Sequence, residues 1–368
     1  MHETRNAWSV RKNMDTFKLN RNASKDSFLW VGSKDGMDAE LVKGSQVPFE
    51  GISAAGIHGV GLGSLPGNLS QLVKGFFQSR QILDRFNPDV LLFTGGYMAV
   101  PMALAGIRYP SLLYVPDIEP GMALKALSKL ADRIDITADE SRNYFGNQNK
   151  LNVTGYPTRS NLRSWTKAKA VGTLGLKSEL LTLLVLGGSK GARSINRAII
   201  RTLPVLLEDI QVVHISGQLD WIEVESAGKN LKGISKYADR YHPYEYLHDE
   251  MGAALTAADI VISRAGASVL GEYPLFGLPA ILIPYPHAWQ YQEVNARYLL
   301  KRGAAVLISE EDLQDQLLPQ VREMIANKQL RNNMSKAMRA LNKPDAAASI
   351  ASHLREMAVN NREGFSND

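Results

Sequence analysis

A short glycine-rich stretch, Gly187-Gly188-Ser189-Lys190-Gly191, separates the apolar run at 181–186 from a segment with helical spacing at 194–207. Glycine lets the backbone approach a ligand closely, and the free amides at the start of a helix attract phosphate. This is not a Walker A loop, because no Gly-Lys-Ser/Thr follows at the required distance. The turn is therefore compatible with phosphate binding and, taken alone, equally with tight packing.

A second turn of small residues follows the apolar run at 260–262 and leads through Arg264 and Ser268 into a segment that carries Glu272. Ligands of parallel sheets bind at the carboxyl ends of the strands. Helix-start amides suit a diphosphate, and a carboxylate one turn later can accept both hydroxyls of a ribose. The alternative is that Glu272 is only an exposed helix residue.

A third apolar run, at 280–283, ends in a polar segment that contains Gln290, Gln292 and Asn295. Amide side chains offer donors and an acceptor, so they can read sugar hydroxyls. Three successive strand ends with polar residues that could bind a ligand are harder to explain by packing than a single such strand end. The C-terminal half therefore favours a nucleotide-sugar site.

The elements that must position these residues alternate between strands and helices. Continuous apolar runs, bounded by turns, indicate strands buried on both faces of a parallel sheet. The order predicts an α/β protein with two doubly wound domains. We expect residues 1–160 to form the first domain, with an atypical leader at 1–27, and residues 161–342 the second. A helix at 345–362 is expected to pack back on the first.

The composition narrows the class of protein. The chain has 368 residues, of which 45% are hydrophobic and 21% charged, which is typical of globular proteins. It has no cysteine, so thiolate metal sites are excluded. The net charge of +5 suits anionic partners without choosing among phosphates, anionic lipid headgroups and nucleic acid. No apolar run is long enough to span a bilayer, and residues 1–28 lack the apolar core of a signal peptide.

An amphipathic segment at 65–86 is the candidate membrane element. Helical spacing relates the apolar residues Leu69, Leu72, Val73, Phe76 and Phe77, and the basic residues Lys74, Arg80 and Arg85 are nearby. A helix with an apolar face and basic neighbours can lie in a lipid interface. The competing interpretation is that the apolar stripe faces the protein core.

The motifs GGSKGARSIN, ADIVISRAGASVLGE, GLPAILIPYPH and QEVNA resemble those of the MurG family of glycosyltransferases. The resemblance covers about residue 28 to the C-terminus. It implies the GT-B fold, two Rossmann-like domains facing a cleft. It also implies inverting transfer of N-acetylglucosamine from UDP-GlcNAc to lipid I, which forms lipid II for peptidoglycan at the cytoplasmic face of the membrane. No cofactor, metal ion or nucleic-acid partner is implied.

The resemblance also assigns site residues. By position, it places Ser189 and Arg159 near the diphosphate, His248 at the uracil and Glu272 at the ribose. The full UDP-sugar set is Arg159, Gly188, Ser189, Gly191, His248, Arg264, Ala267, Ser268, Val269, Glu272, Tyr291, Gln292 and Asn295. The turn Gly95-Gly96-Tyr97, after the apolar run at 90–93, resembles the turn expected to hold the pyrophosphate of the lipid acceptor; a plain tight turn is the alternative.

The chain departs from the family pattern in two places. The family begins with a strand and a GGTGGH loop whose histidine is a favoured general base, and residues 1–27 contain no glycine. The first βα unit is therefore missing or replaced. The family has HEQN where residues 114–117 read Tyr-Val-Pro-Asp, so Asp117 is the substitute candidate for the base. These departures keep two alternatives open: a UDP-sugar transferase acting on another lipid acceptor, and an inactive UDP-sugar-binding remnant.

Overall fold

The computed structural model describes residues 7–12, 26–33, 42, 47–53, 65–188, 191–286 and 291–364. The chain divides into two compact units. Unit 1 comprises Met1–Thr154 and Ala347–Asp368, and unit 2 comprises Gly155–Ala346. The sequence places the first boundary slightly later, after residue 160.

Unit 1 contains a seven-stranded sheet with the order β3-β2-β1-β4-β5-β6-β7. Its strands are β1 (Ala7–Lys12), β2 (Asp26–Ser33), β3 (Phe49–Ile52), β4 (Val90–Phe93), β5 (Ser111–Val115), β6 (Arg133–Ile136) and β7 (Leu151–Val153). The pairs β2–β3, β4–β5, β5–β6 and β6–β7 are parallel. The strand β5 is buried along its whole length, as expected for a strand covered on both faces.

The strand β1 differs from the rest of this sheet in direction. It lies between β2 and β4 and is antiparallel to both, with Ala7 opposite Val31 on one side and Phe93 on the other. A sequence-based interpretation of 1–27 as an unpatterned leader did not include this strand. Antiparallel neighbours do not need the right-handed βα crossover that parallel neighbours require.

The helices of unit 1 are α1 (Leu65–Phe86), α2 (Ala99–Ala105), α3 (Met122–Leu127) and α12 (Ala346–Gly364), the last of which closes the chain. Ile350 of α12 packs against Leu112 and Tyr114 of β5. His353 Nδ1 lies 2.9 Å from both carboxylate oxygens of the buried Asp135 on β6. The C-terminal helix therefore docks on the sheet of unit 1 through an apolar contact and a buried polar one.

Unit 2 has a six-stranded sheet with the order β10-β9-β8-β11-β12-β13. Its strands are β8 (Leu181–Leu186), β9 (Ile210–Ile215), β10 (Tyr241–Tyr244), β11 (Ile260–Ser263), β12 (Ala280–Leu282) and β13 (Ala305–Leu307). All neighbours are parallel. Numbered from β8, this is the strand order 3-2-1-4-5-6 of a dinucleotide-binding fold, and the order reverses between β8 and β11.

The helices of unit 2 are α4 (Lys167–Thr173), α5 (Arg193–Asp209), α6 (Trp221–Leu231), α7 (Met251–Ala257), α8 (Val269–Phe276), α9 (Tyr291–Leu300), α10 (Leu313–Ala326) and α11 (Lys328–Arg339). Apolar residues of α5, including Ile195, Ile199 and Leu203, are buried against the sheet. Their spacing produces a helix with one apolar face, because residues three and four apart share a side. In the part of the chain that the structure describes, no helix combines the length and apolar character of a membrane span.

Candidate functional site

Two turns lie at the point where the strand order of unit 2 reverses. The turn from β8 to α5 contains Gly188 and Gly191, whose φ angles of 74° and 86° are left-handed and favour glycine. The turn from β11 to α8 follows on the neighbouring strand. Ligands of open α/β sheets bind in the crevice at such a reversal. Ser189, which the sequence places at the diphosphate, lies outside the described residues.

The second turn exposes a helix start. Ser268 precedes α8, and the amides of Gly271 and Glu272 donate to its carbonyl at 3.1 and 2.8 Å. The side chains of Ala267 and Val269 are buried, so these two residues can contact a ligand only through their backbone. The hydroxyl of Tyr273 donates to Ser263 Oγ at 2.7 Å, which fixes the end of β11 against α8. The hydrogen bond between Tyr273 and Ser263 therefore fixes the two ends of the β11–α8 turn relative to each other.

Arg264 joins three chain segments of unit 2. Its guanidinium donates to Glu310, to the carbonyl oxygen of Ile283 at 3.1 Å and to Ser194 Oγ at 3.0 Å. The side chain is only 15% exposed, and the guanidinium lies over the ring of Tyr285. The sequence groups Arg264 with the UDP-sugar residues, and the structure shows its guanidinium occupied by protein partners that tie the strand ends together.

Glu272 and Arg159 are electrostatic neighbours. Burial raises the pKa of the Glu272 carboxyl, and the positive charge of Arg159 lowers it in part. The segment of Arg159 packs on α8, because a Cβ at Gly271 would lie 2.7 Å from the Tyr156 ring. Among the described residues, no hydrogen-bond donor reaches the Glu272 carboxylate, whereas Arg159 is exposed. A partly buried carboxylate of this kind is suited to accept hydroxyl hydrogens from a ligand.

The residues that follow β12, the third strand, differ in burial and in their hydrogen-bond partners. Asn295 is fully buried, and its Nδ2 donates to the carbonyl oxygen of Ala265 at 3.1 Å. Gln292 accepts the amide hydrogen of Tyr285 at 3.0 Å. Tyr291 is partly buried at the start of α9. Gln290 lies outside the described residues. The Asn295 side chain thus helps to position the turn after β11. This contact within the protein is different from the sugar contact that the sequence predicts for Asn295.

His248 forms an exposed aromatic pair with Tyr246. Their ring centroids are 4.7 Å apart and the rings are tilted by 54°. Both side chains are exposed, on the segment that follows β10. A planar base can stack on an exposed ring of this kind in an offset arrangement, in which aromatic rings attract one another.

Sequence reasoning missed a buried polar chain behind the first turn. It runs from Tyr241 through His214 and Asn196 to Asp220, and continues to the exposed Arg193. Burial lowers the pKa of His214 to about 3. Asn196 and Arg193 lie within the motif GGSKGARSIN, but their hydrogen-bond partners are distant in sequence: His214 is on β9, and Asp220 precedes α6. Only the fold could therefore reveal this chain.

In unit 1, the turn after β4 and the loop after β5 end neighbouring parallel strands. Gly95 and Gly96 have φ angles of 109° and 81°, and a Cβ at Gly95 would lie 3.1 Å from Leu124. Tyr97 is partly buried beside them. Asp117 is buried at 8% exposure in the loop after β5. The acceptor turn and the candidate base expected from the sequence are therefore placed at one edge of one sheet.

The helix α1 exposes a narrow apolar stripe. Leu69, Val73 and Phe77 are 58%, 51% and 59% exposed and lie four residues apart. Leu72 and Phe76 are partly buried, so only Leu69, Val73 and Phe77 of the apolar set expected from the sequence form the exposed stripe. Lys74 and Arg80 are exposed on the same helix.

Comparisons with known proteins agree across both units. Residues 17–136 match the glycosyltransferase family 28 N-terminal domain, and residues 182–350 match the C-terminal domain of the same family. A UDP-N-acetylglucosamine–N-acetylmuramyl-(pentapeptide) pyrophosphoryl-undecaprenol N-acetylglucosamine transferase from Desulforamulus reducens is 38% identical over 336 residues, which cover 89% of each chain. The transferase of the same name from Roseiflexus sp. is 37% identical, covering 90% of this chain and 84% of its own.

A solved structure supports the same architecture. Acinetobacter baumannii MurG superimposes with a TM-score of 0.67 at 23% identity, covering 89% of this chain and 90% of its own. At this identity the likeness concerns the fold.

Proposed function

Since this chain belongs to glycosyltransferase family 28, we propose that it transfers N-acetylglucosamine from UDP-GlcNAc to the undecaprenyl-pyrophosphoryl-N-acetylmuramyl-pentapeptide known as lipid I. The observation that carries the proposal is the placement of two helix-start turns and the Glu272 carboxylate at the strand-order reversal of unit 2. The names of relatives at 37–38% identity supply the donor and the acceptor.

The donor site belongs to unit 2 in this proposal. Glu272 accepts the ribose hydroxyls, and the ring pair of Tyr246 and His248 stacks on the uracil. The backbone of Gly188, Gly191, Ala267, Ser268 and Val269 surrounds the diphosphate, together with Ser189 and the exposed Arg159. Tyr291 and Gln292 read the sugar. Arg264 and Asn295 hold the turns in place from within the protein.

The reaction is an inverting displacement at the anomeric carbon. The hydroxyl of the acceptor forms the new glycosidic bond while the bond to the UDP oxygen breaks, and UDP leaves with that electron pair. Amides and the Arg159 guanidinium stabilise the charge that develops on the diphosphate. A base must also take the hydroxyl proton. Asp117, a carboxylate at the acceptor-side strand ends of unit 1, is our candidate for that base.

One observation favours a second acceptor. Residues 114–117 read Tyr-Val-Pro-Asp where the family pattern is HEQN, and Tyr114 is engaged in the core, with its hydroxyl 3.0 Å from Thr137 Oγ1. A segment changed in this way fits a UDP-sugar transferase that acts on a different lipid. Assay of UDP-GlcNAc with lipid I, with diacylglycerol and with another polyprenyl lipid separates the two functions.

A lipid acceptor requires access to a membrane surface. We place that surface, on the cytoplasmic side, at α1, where Leu69, Val73 and Phe77 are exposed and Lys74 and Arg80 flank them. Exposed apolar side chains enter the interface and basic ones attract anionic headgroups, which is the arrangement of peripheral amphipathic helices.

Titration calorimetry with UDP-GlcNAc tests the donor assignment. We expect the intact chain to bind, and Glu272→Ala to bind at least roughly tenfold more weakly, because a charge-assisted hydrogen bond contributes about 1.5–3 kcal/mol. Equal affinity of the two proteins would refute the ribose contact. Binding without turnover on any lipid acceptor would instead identify a UDP-sugar-binding protein that has lost its activity.

A further inference from the structure

The turn at Gly187–Gly191 contacts the turn that follows β9, around Ser216 and Gly217. A Cβ at Gly191 would lie 2.8 Å from Asp220 Oδ2 and 2.9 Å from the carbonyl oxygen of Ser216. A Cβ at Gly217 would lie 2.3 Å from the amide nitrogen of Gly191. The two turns are thus in contact, and the atoms beneath Gly191 are the Asp220 carboxylate and a carbonyl group.

Asn196 ties those two acceptors together from inside α5. Its Nδ2 donates to the Ser216 carbonyl oxygen at 3.0 Å and to Asp220 Oδ2 at 2.9 Å. Asn196 and Asp220 are 1% and 5% exposed. Arg193 Nε donates to the other Asp220 oxygen at 3.0 Å. The Asp220 carboxylate is therefore fixed by two donors from the first turn of the helix that follows the glycine turn.

The direction of every hydrogen bond in this chain is determined. A carbonyl can only accept, so Asn196 must turn its amide nitrogen to Ser216 and its oxygen to His214, 2.9 Å away. His214 Nε2 must then carry the proton, and Nδ1 accepts from the Tyr241 hydroxyl at 2.8 Å. A reversed amide or the other tautomer would place like groups together, which is costly at buried sites.

We propose that the Asp220–Asn196–His214–Tyr241 chain is a positioning device that presets the glycine turn for the donor diphosphate. This inference rests on the proposed function, because it concerns the same UDP-sugar site. The chain contacts the turn at Gly191 and holds the backbone of Gly191 in one arrangement before a ligand arrives. Preorganised amides stabilise an anion without a reorganisation cost at binding.

A neighbouring ion pair provides the matched control. Arg197 on α5 and Glu223 on α6 form an ion pair at 2.9 Å, about one helical turn beyond Arg193 and Asp220. Both side chains are exposed, and neither is among the atoms nearest to a Cβ at Gly187 or Gly191. Glu223→Gln therefore removes one carboxylate charge close to Asp220 without removing a hydrogen bond of the proposed device.

The experiment compares binding of UDP with binding of uridine by calorimetry. We expect Asp220→Asn to weaken UDP by roughly tenfold, equivalent to about 1.4 kcal/mol, and to change uridine by less than roughly twofold, since uridine has no phosphate. Glu223→Gln leaves both affinities unchanged. Tyr241→Phe, at the remote end of the chain, gives a smaller loss of the same selectivity and serves if Asp220→Asn does not fold.

Equal losses of affinity for UDP and uridine in Asp220→Asn would overturn the positioning role. An unchanged UDP affinity in both Asp220→Asn and Tyr241→Phe would overturn it as well. Hydrogen exchange of the peptide covering the glycine turn supplies a readout without ligand. Faster exchange in the variants than in Glu223→Gln supports the proposal, and unchanged exchange contradicts it. If the unaltered chain fails to bind UDP, the proposed function is wrong, and the exchange measurement still decides the positioning role.

Discussion

The guanidinium of Arg264, directly after β11, is paired with the carboxylate of Glu310, which follows β13 two strands away in the sheet. The two side chains are 15% and 26% exposed. Because Arg264 also donates to the end of β12 and to Ser194 at the start of α5, this pair fixes several strand ends relative to each other. Arg264 thus has a structural role through its protein contacts.

Replacing Glu310 by glutamine should destabilise unit 2. The substitution leaves the poorly exposed Arg264 without its anionic partner, so we expect a loss of about 1–3 kcal/mol in the free energy of unfolding. Glu293→Gln, which removes an exposed pair with Arg297 on α9, should cost less than about 0.5 kcal/mol. Denaturant unfolding of both variants measures the difference; similar losses would show that the Arg264 pair has no special role.

The pH dependence of uridine binding should report the ionisation of Glu272. Burial raises the pKa of this carboxyl, and the ribose contact needs the ionised form. Affinity for uridine should therefore fall as the pH is lowered, starting at a higher pH than an ordinary glutamate would give. Calorimetry over a pH series measures this fall.

Two variants test that assignment. Arg159→Ala removes a charge that lowers the pKa of Glu272, so the fall should move to higher pH, while Glu272→Gln should abolish it. Uridine is the right ligand because it has no phosphate for Arg159 to contact. The same pH profile in all three proteins would exclude Glu272 from the ribose site.

His214 should stay neutral throughout the working pH range. Burial lowers its pKa to about 3, whereas the unfolded chain protonates near pH 6.5. Below pH 6.5 the unfolded state therefore binds an extra proton, so the stability of unit 2 should decrease on acidification by about 1.4 kcal/mol per pH unit from this group. A histidine NMR signal that does not titrate between pH 5 and 8, with lower protection factors of the β9 amides in acid, would agree. Titration near pH 6.5 would contradict it.

Asp117→Asn tests the candidate base. Loss of general-base catalysis should lower kcat by roughly a hundredfold or more, because proton transfer typically contributes at least that factor. UDP affinity should be unchanged. Asp139→Asn, an exposed carboxylate of the same unit, is the control and should have normal turnover. Normal turnover by Asp117→Asn would remove this residue from the mechanism.

Vesicle binding tests the surface of α1. Replacing Leu69 and Phe77 by serine should reduce partition to vesicles that contain anionic lipid by at least roughly tenfold, since each large apolar side chain contributes about 1.5–3 kcal/mol on burial. Ile234→Ser, an exposed apolar residue of unit 2, is the control. Equal partition of all three proteins would show that α1 does not face the membrane.

The sequence by itself determined the parallel strands and the position of the glycine-containing turns that end them. The strands at 90–93 and 181–186 were predicted with the bounds that the structure has, and the helix expected at 194–207 extends over Arg193–Asp209. Such segments are predictable because an apolar run bounded by glycine has few alternative structures. The antiparallel strand β1 was not predicted, since its six residues, AWSVRK, have neither a continuous apolar run nor a strict alternation of apolar and polar residues.

Tertiary structure decided which side chains face a ligand and which face the protein. Arg264 and Asn295 carry the residue types of ligand contacts, yet their donors reach carbonyls and carboxylates from other elements. Asp220 belongs to no motif and still lies against Gly191, and His214 is linked to it through Asn196. Spacing along a chain gives the face of a strand or helix, whereas the partner of a long polar side chain depends on strand order and on burial, which only the folded unit defines.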